Sequence, residues 1–159
     1  MKFPVLFSIA GLPFLFSCAE QVSRIEQVRE IPLKTTEIPT EDVGMHHTQA
    51  TYLLHGAVTK EQRQQRLGQY YFITWYDAHP EQKASLVMMY RQGKTGSSIQ
   101  TKSISYPVGR KGGTQTSIFP FNGADAKNKG EILAWKLLLK DGDNHTISER
   151  HSYLWNDNY

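Results

Sequence analysis

The run EILAWKLLLK, residues 131 to 140, followed by DGDNHTISE, residues 141 to 149, decides how this chain folds. On propensity alone the leucines suit a helix. However, Leu133, Trp135, Leu137 and Leu139 alternate at period two with Lys136 and Lys140 opposite them, as in a half-buried strand. DGDN is a tight-turn sequence, and the stretch after it, HTISERHSYLW (145 to 155), is β-prone. A hairpin is therefore expected, and the fold class it implies is all-β.

Working outward, the same punctuation recurs. QYYFITWYD (69 to 77), ASLVMMYRQ (84 to 92), SIQTKSISY (98 to 106) and TQTSIFPFNG (114 to 123) read as strands between turn-rich segments. TYLLHGAV (51 to 58) is read as the first strand, and TKEQRQQRLG (59 to 68) as a short helix ended by Gly68. Seven short strands predict a sandwich. In QYYFITWYD, Tyr71, Ile73 and Trp75 are expected to face inward, with Trp75 against Trp135. The layout, a Trp in an early central strand and a long final hairpin, resembles an immunoglobulin or fibronectin type III sandwich. The likeness covers residues 51 to 159 and carries no family-specific motif.

Residues 51 to 159 hold all three Trp and all eight Tyr, and 14 Lys and Arg against 9 Asp and Glu give them a net charge of +5. This is a usual size for one domain, expected to fold by itself. Residues 19 to 50 contain no aromatic residue, and three bases against six acids give −3. With Cys18, residues 18 to 50 read as a tether. Val22, Ile25, Val28 and Ile31 recur every three residues, compatible with a short helix, while Pro32 and Pro39 force extended backbone before them. The later part of the tether is a candidate edge strand.

The first residues read as a signal segment, 1 to 17. Lys2 precedes an uncharged apolar run, Phe3 to Phe16, too short to span a bilayer. Leu15-Phe16-Ser17-Cys18 resembles the lipobox of bacterial lipoproteins, recognised by signal peptidase II. The resemblance implies lipid on Cys18, the only cysteine, and hence a membrane anchor and no disulfide in the exported part. Ala19 lacks the Asp of an inner-membrane retention mark, which favours the outer membrane over the inner.

The chemistry-bearing motifs are thin. QGKTGSS (92 to 98) contains Gly-Lys-Thr, but Met88 stands where a phosphate loop needs its first Gly, so a hairpin loop is expected. Asp141, Asp143 and Glu149 are spaced as in a calcium loop, with Thr146 where that loop needs Gly. His145, Glu149 and His151 would share a face only on an unbulged strand, and the adjacent His46 and His47 would point apart on an extended one. Asn144-His145-Thr146 matches a glycosylation acceptor by chance. No nucleophile elbow, zinc-protease helix or paired catalytic carboxylate is recognisable, so no enzyme, metal or cofactor is expected.

Two surfaces remain as candidates. Arg91, Lys94, Lys102, Arg110 and Lys111 with Tyr90 and Tyr106 form a candidate basic, aromatic surface for an anionic glycan, lipid headgroup or acidic protein; nucleic acid is not expected outside the cytoplasm. Tyr70, Phe72 and Tyr76 lie on the face of their strand opposite Trp75, a second aromatic stripe that is either covered by the tether or a loop, or binds something. The function expected is therefore a non-catalytic binding or assembly module of the cell envelope. The alternative is a carbohydrate-binding module stacking sugars on that stripe, and an envelope enzyme ranks third.

Overall fold

The structure, a computed structural model, describes residues 21–36 and 45–157. The signal segment and Cys18 lie outside the described residues. Among the described residues, seven strands form two antiparallel sheets. The elements run β1 (Arg24–Leu33), α1 (Met45–Leu54), α2 (Lys60–Gln65), β2 (Gly68–Asp77), β3 (Ala84–Gln92), β4 (Gln100–Tyr106), β5 (Gly113–Asn122), α3 (Gly123–Lys129), β6 (Ile132–Lys140) and β7 (Thr146–His151). One sheet has the order β1-β2-β5 and the other β4-β3-β6-β7.

The hairpin at 131 to 149 is present. Lys140 pairs with Thr146, and the Asp141 carboxylate accepts from the backbone N–H groups of Asp143 (3.0 Å) and His145 (2.8 Å). These bonds close the turn and hold the Asp141 pKa below the usual carboxylate value. A bulge in β6 beside Arg91 and Gln92 shifts the inward phase. Trp135, Leu137 and Leu139 join the core as the alternation requires, but Leu133 turns out to solvent and is 57% exposed.

The core between the sheets is built from Ile25, Tyr71, Ile73, Trp75, Leu86, Met88, Phe119, Phe121, Leu137 and Leu139. Tyr71, Ile73 and Trp75 face inward as expected, but Trp75 does not meet Trp135. Its ring lies 5.0 Å from that of Tyr106, and its Nε1–H donates to Ser117 Oγ at 3.0 Å. Trp135 packs edge-on against Tyr71 instead, at 6.0 Å.

Two expectations are corrected. Residues 51 to 58 are not a strand: 51 to 54 complete α1, which begins at Met45 and contains His46 and His47. Ala50, Leu53 and Leu54 recur at i, i+3 and i+4, so a helix buries all three against one surface, which a strand would not. Gly56, at φ +80°, follows the helix in a conformation few other residues adopt. The first strand is instead β1, within the stretch read as a tether. A bulge between Ile25 and Gln27 lets Ile25 and Val28 enter the same core, which explains a period of three inside a strand. Beyond it the faces separate, and Ile31 and Leu33 pack on the outer side with α1.

β2 is consequently covered on both faces, which its nearly unbroken apolar sequence requires. At its start the chain passes so close to β5 that a Cβ on Gly68 would lie 2.1 Å from the Phe121 carbonyl oxygen. α2 carries a capping box: Thr59 Oγ1 accepts from Gln62 N–H, and Gln62 Oε1 from Thr59 N–H.

Candidate functional site

The second aromatic stripe is divided by its coverings. Tyr70 is 4% exposed and belongs to a satellite core with Ile31, Leu33, Ala50, Leu53 and Leu54, so it is not an open surface. Its hydroxyl donates to the Arg66 carbonyl (2.6 Å) and accepts from Asn122 Nδ2 (2.8 Å). Burial raises its pKa, with the Asn122 bond opposing. Phe72 is half-buried, with the Arg29 guanidinium 5.7 Å above its ring and Tyr52 6.3 Å away. Tyr76 is half-buried too; Arg24 lies 5.0 Å over its ring, and its hydroxyl bonds to Gln21.

What stays open is a groove of about 700 Å³ beside this stripe. The C-terminal end of α1 forms one wall with Tyr52, Leu53 and His55; Ile118, Pro120 and Asn122 of β5 form the other; Tyr70 and Arg66 lie between them. Tyr52 is 62% exposed, so the groove offers an aromatic face to solvent. Arg66 is held from inside, its Nη1 donating to the Leu53 carbonyl at 3.4 Å. Among the described residues the lining carries one arginine, one histidine, two tyrosines and an asparagine but no carboxylate, serine or threonine. Such a lining has the shape and chemistry to accommodate an apolar or aromatic body with hydrogen-bonding edges. A second groove of about 730 Å³ lies at the end of the sandwich among α2, α3 and the end of β1, and its charges are mixed: Lys34 and Lys127 with Glu61 and Glu131.

The groove was missed in the sequence because its wall is α1, read there as a strand. The pattern Ala50, Leu53, Leu54 before Gly56 was the available signal.

The basic, aromatic surface does not assemble. Tyr90 and Tyr106 point into the core. Arg91 lies on the outer face over Trp155, 5.0 Å from its ring, and donates to the Asn156 carbonyl. Lys94 donates to the Lys127 carbonyl at 2.9 Å. Arg110 is taken up by a buried ion pair. Its Nε and Nη2 grip the Asp77 carboxylate at 2.6 and 3.0 Å, and Nη1 donates to the Gln82 and Pro107 carbonyls. Their side chains are 1% (Asp77) and 11% (Arg110) exposed, so this pair fastens two loops to β2 and presents no charge outward.

The remaining motifs are placed as follows. QGKTGSS is the β3–β4 hairpin loop, with Thr95 N–H donating to the Gln92 carbonyl. A bulge at Ile147 separates His145 from the face shared by Glu149 and His151, where Glu149 lies 3.5 Å from Lys136. Among the described residues, no three His, Cys, Asp or Glu side chains gather as a metal site. Comparison with protein families, curated proteins and solved structures finds no match.

Proposed function

We propose that this protein is a cell-envelope lipoprotein, anchored through Cys18 in the outer membrane rather than the inner, and that it is a non-catalytic binding or assembly module. The observation that supports the binding role is the aromatic groove between α1 and β5, with Tyr52 open to solvent. The anchor rests on Leu15-Phe16-Ser17-Cys18, and the likeness to immunoglobulin and fibronectin type III sandwiches fits a module that presents loops and edges to partners. The exposed Tyr52 ring also favours a second reading, a carbohydrate-binding module in which it stacks on a pyranose.

Two experiments test this. Cys18→Ser abolishes labelling by a fatty-acid precursor and leaves the signal segment uncut; persistent labelling overturns the anchor. Tyr52→Ser, whose ring is mostly in solvent, keeps the native circular dichroism spectrum and weakens capture of an envelope protein from detergent extracts. Retention on peptidoglycan or lipopolysaccharide that depends on Tyr52 selects the carbohydrate reading, and capture unaffected by Tyr52→Ser removes the groove from consideration.

A further inference from the structure

The groove lies beside a strand edge whose hydrogen-bonding groups can be assigned. The Gly123 N–H donates to the Leu67 carbonyl, so odd-numbered residues at this end of β5 turn their backbone groups toward β2. Even-numbered residues turn theirs outward. Pro120 agrees: it has no N–H to give to a ladder, and its carbonyl accepts from Lys102 Nζ of the opposite sheet at 2.5 Å. The β2–β5 register is unbroken from Gly68–Asn122 to Asp77–Gly113, so the N–H and C=O groups of Thr114, Thr116 and Ile118 point along the same outer edge. Among the described residues no strand pairs with that edge.

The four edges of the sandwich differ in protection. β1 carries a bulge and Pro32 and lies against β7, where the Ile25 N–H donates to Ser148 Oγ. β4 sends the Lys102 side chain inward over the Phe121 ring, 4.9 Å away. Among the described residues β5 is blocked only at its far end, by Pro120 and Lys102, and Thr114–Ile118 is left open.

We propose that the β5 edge accepts an extended acidic peptide as an added antiparallel strand over Thr114–Ile118, with its alternate apolar side chains in the Tyr52 groove and its acids toward Lys102. The alternation follows from the geometry. Side chains of an added strand fall by turns on the outer face, beside Ile118 and Tyr52, and on the inner side, where Lys102 leaves β4. Charge selects the occupant. Arg66 and His55 border the outer side, Lys102 the inner, and Lys111 the start of the strand, where its carbonyl accepts from Gln115 Nε2. The acid near Lys102, Asp125, is paired with Lys129 at 2.8 Å. A second copy of the chain docking β5 to β5 would bring two such basic borders together, so self-pairing is disfavoured.

This rests on the groove being the binding face, and it is tested separately from it. The probe is a fluorescein-labelled decapeptide of alternating Val and Glu, titrated with the full chain and followed by anisotropy. Binding weakens at least tenfold when alternate peptide nitrogens are N-methylated, and at least tenfold when Glu is replaced by Lys. Amide exchange at Thr116 and Ile118 slows at least fivefold with the probe. Thr116→Pro, which removes an outward N–H and no β2 bond, abolishes binding. Equal binding of the N-methylated peptide, preference for the Lys peptide, no binding at all, or concentration-dependent dimerisation through this edge overturns the proposal. If Tyr52→Ser still weakens envelope capture while N-methylation has no effect, strand addition falls and the groove stands.

Discussion

The buried pair Asp77–Arg110 sets a test whose size follows from its geometry. Asp77→Ala removes the partner of two guanidinium N–H groups and leaves a cation that is 11% exposed with only carbonyl oxygens around it. Breaking a buried pair from one side costs about 3–5 kcal/mol, because the remaining charge stays desolvated and uncompensated. For a domain of this size that is a fall of roughly 6–20 °C in Tm. Arg110→Met in the same background removes the orphaned charge and keeps most of the stem over Trp75, whose ring lies 5.9 Å from the guanidinium. The double variant is therefore less damaged than Asp77→Ala, with a coupling energy of about 1.5–3 kcal/mol in a double-mutant cycle. Urea denaturation followed by tryptophan fluorescence measures all four corners. A loss below about 1 kcal/mol for Asp77→Ala, the range of exposed pairs, with additive double-variant behaviour, would refute the claim that the pair fastens the loops.

Further outcomes follow from the same structure. Trp75→Ala empties a fully buried site and removes the indole donor to Ser117 Oγ, which keeps the Tyr106 hydroxyl as a partner; it lowers stability by about 3–5 kcal/mol in denaturant titration, and a loss under about 1 kcal/mol contradicts the core assignment. A fragment of residues 51 to 159 lacks β1, and with it the burial of Ile25, Ile31 and Leu33 at about 1.5–3 kcal/mol each, which is comparable with a whole domain's stability. It gives poorly dispersed NMR spectra while 21 to 159 folds; a folded short fragment refutes the role of β1. Partial desolvation lowers the Lys102 pKa, so the folded state disfavours its charge. The penalty is full at neutral pH and is relieved as pH rises from the folded value toward the ordinary lysine value. Wild type thus gains stability on Lys102→Met between pH 7 and 10.5, and a constant difference contradicts this.

The strands with strict alternation and clean turns at both ends were legible: β3 is the run ASLVMMYRQ without adjustment, and Tyr71, Ile73 and Trp75 face where period two puts them. The failures have local causes. In β1 the bulge after Ile25 converts a strand's period into three, and its exposed side carries Arg29 and other charges of a sheet edge, so the segment looks like a solvated spacer. In TYLLHGAV the apolar run is too short for periodicity to separate helix from strand without Ala50. Once α1 is misread, nothing tells that Tyr70 is roofed while Tyr52 is open. The Asp77–Arg110 pair joins residues in two different loops' vicinity, and neither neighbourhood carries a sign of the other.

β1 also fixes a direction. Arg24, its first residue, pairs with Tyr76 at the end of the sandwich that carries the 78 to 83 and 107 to 112 loops; Leu33, its last, pairs with Gly68 at the opposite end. If Cys18 holds lipid as proposed, the chain from it to Arg24 reaches at most about 20 Å. The strand then travels about 33 Å along the sheet. The loop end is thus leashed close to the headgroups, with Lys83 and Lys111 among its cations, and Tyr70 and Asn122 stand at the far pole. A molecule in the groove is met from the aqueous space at about a strand's length above the bilayer, without any need for a long flexible stalk.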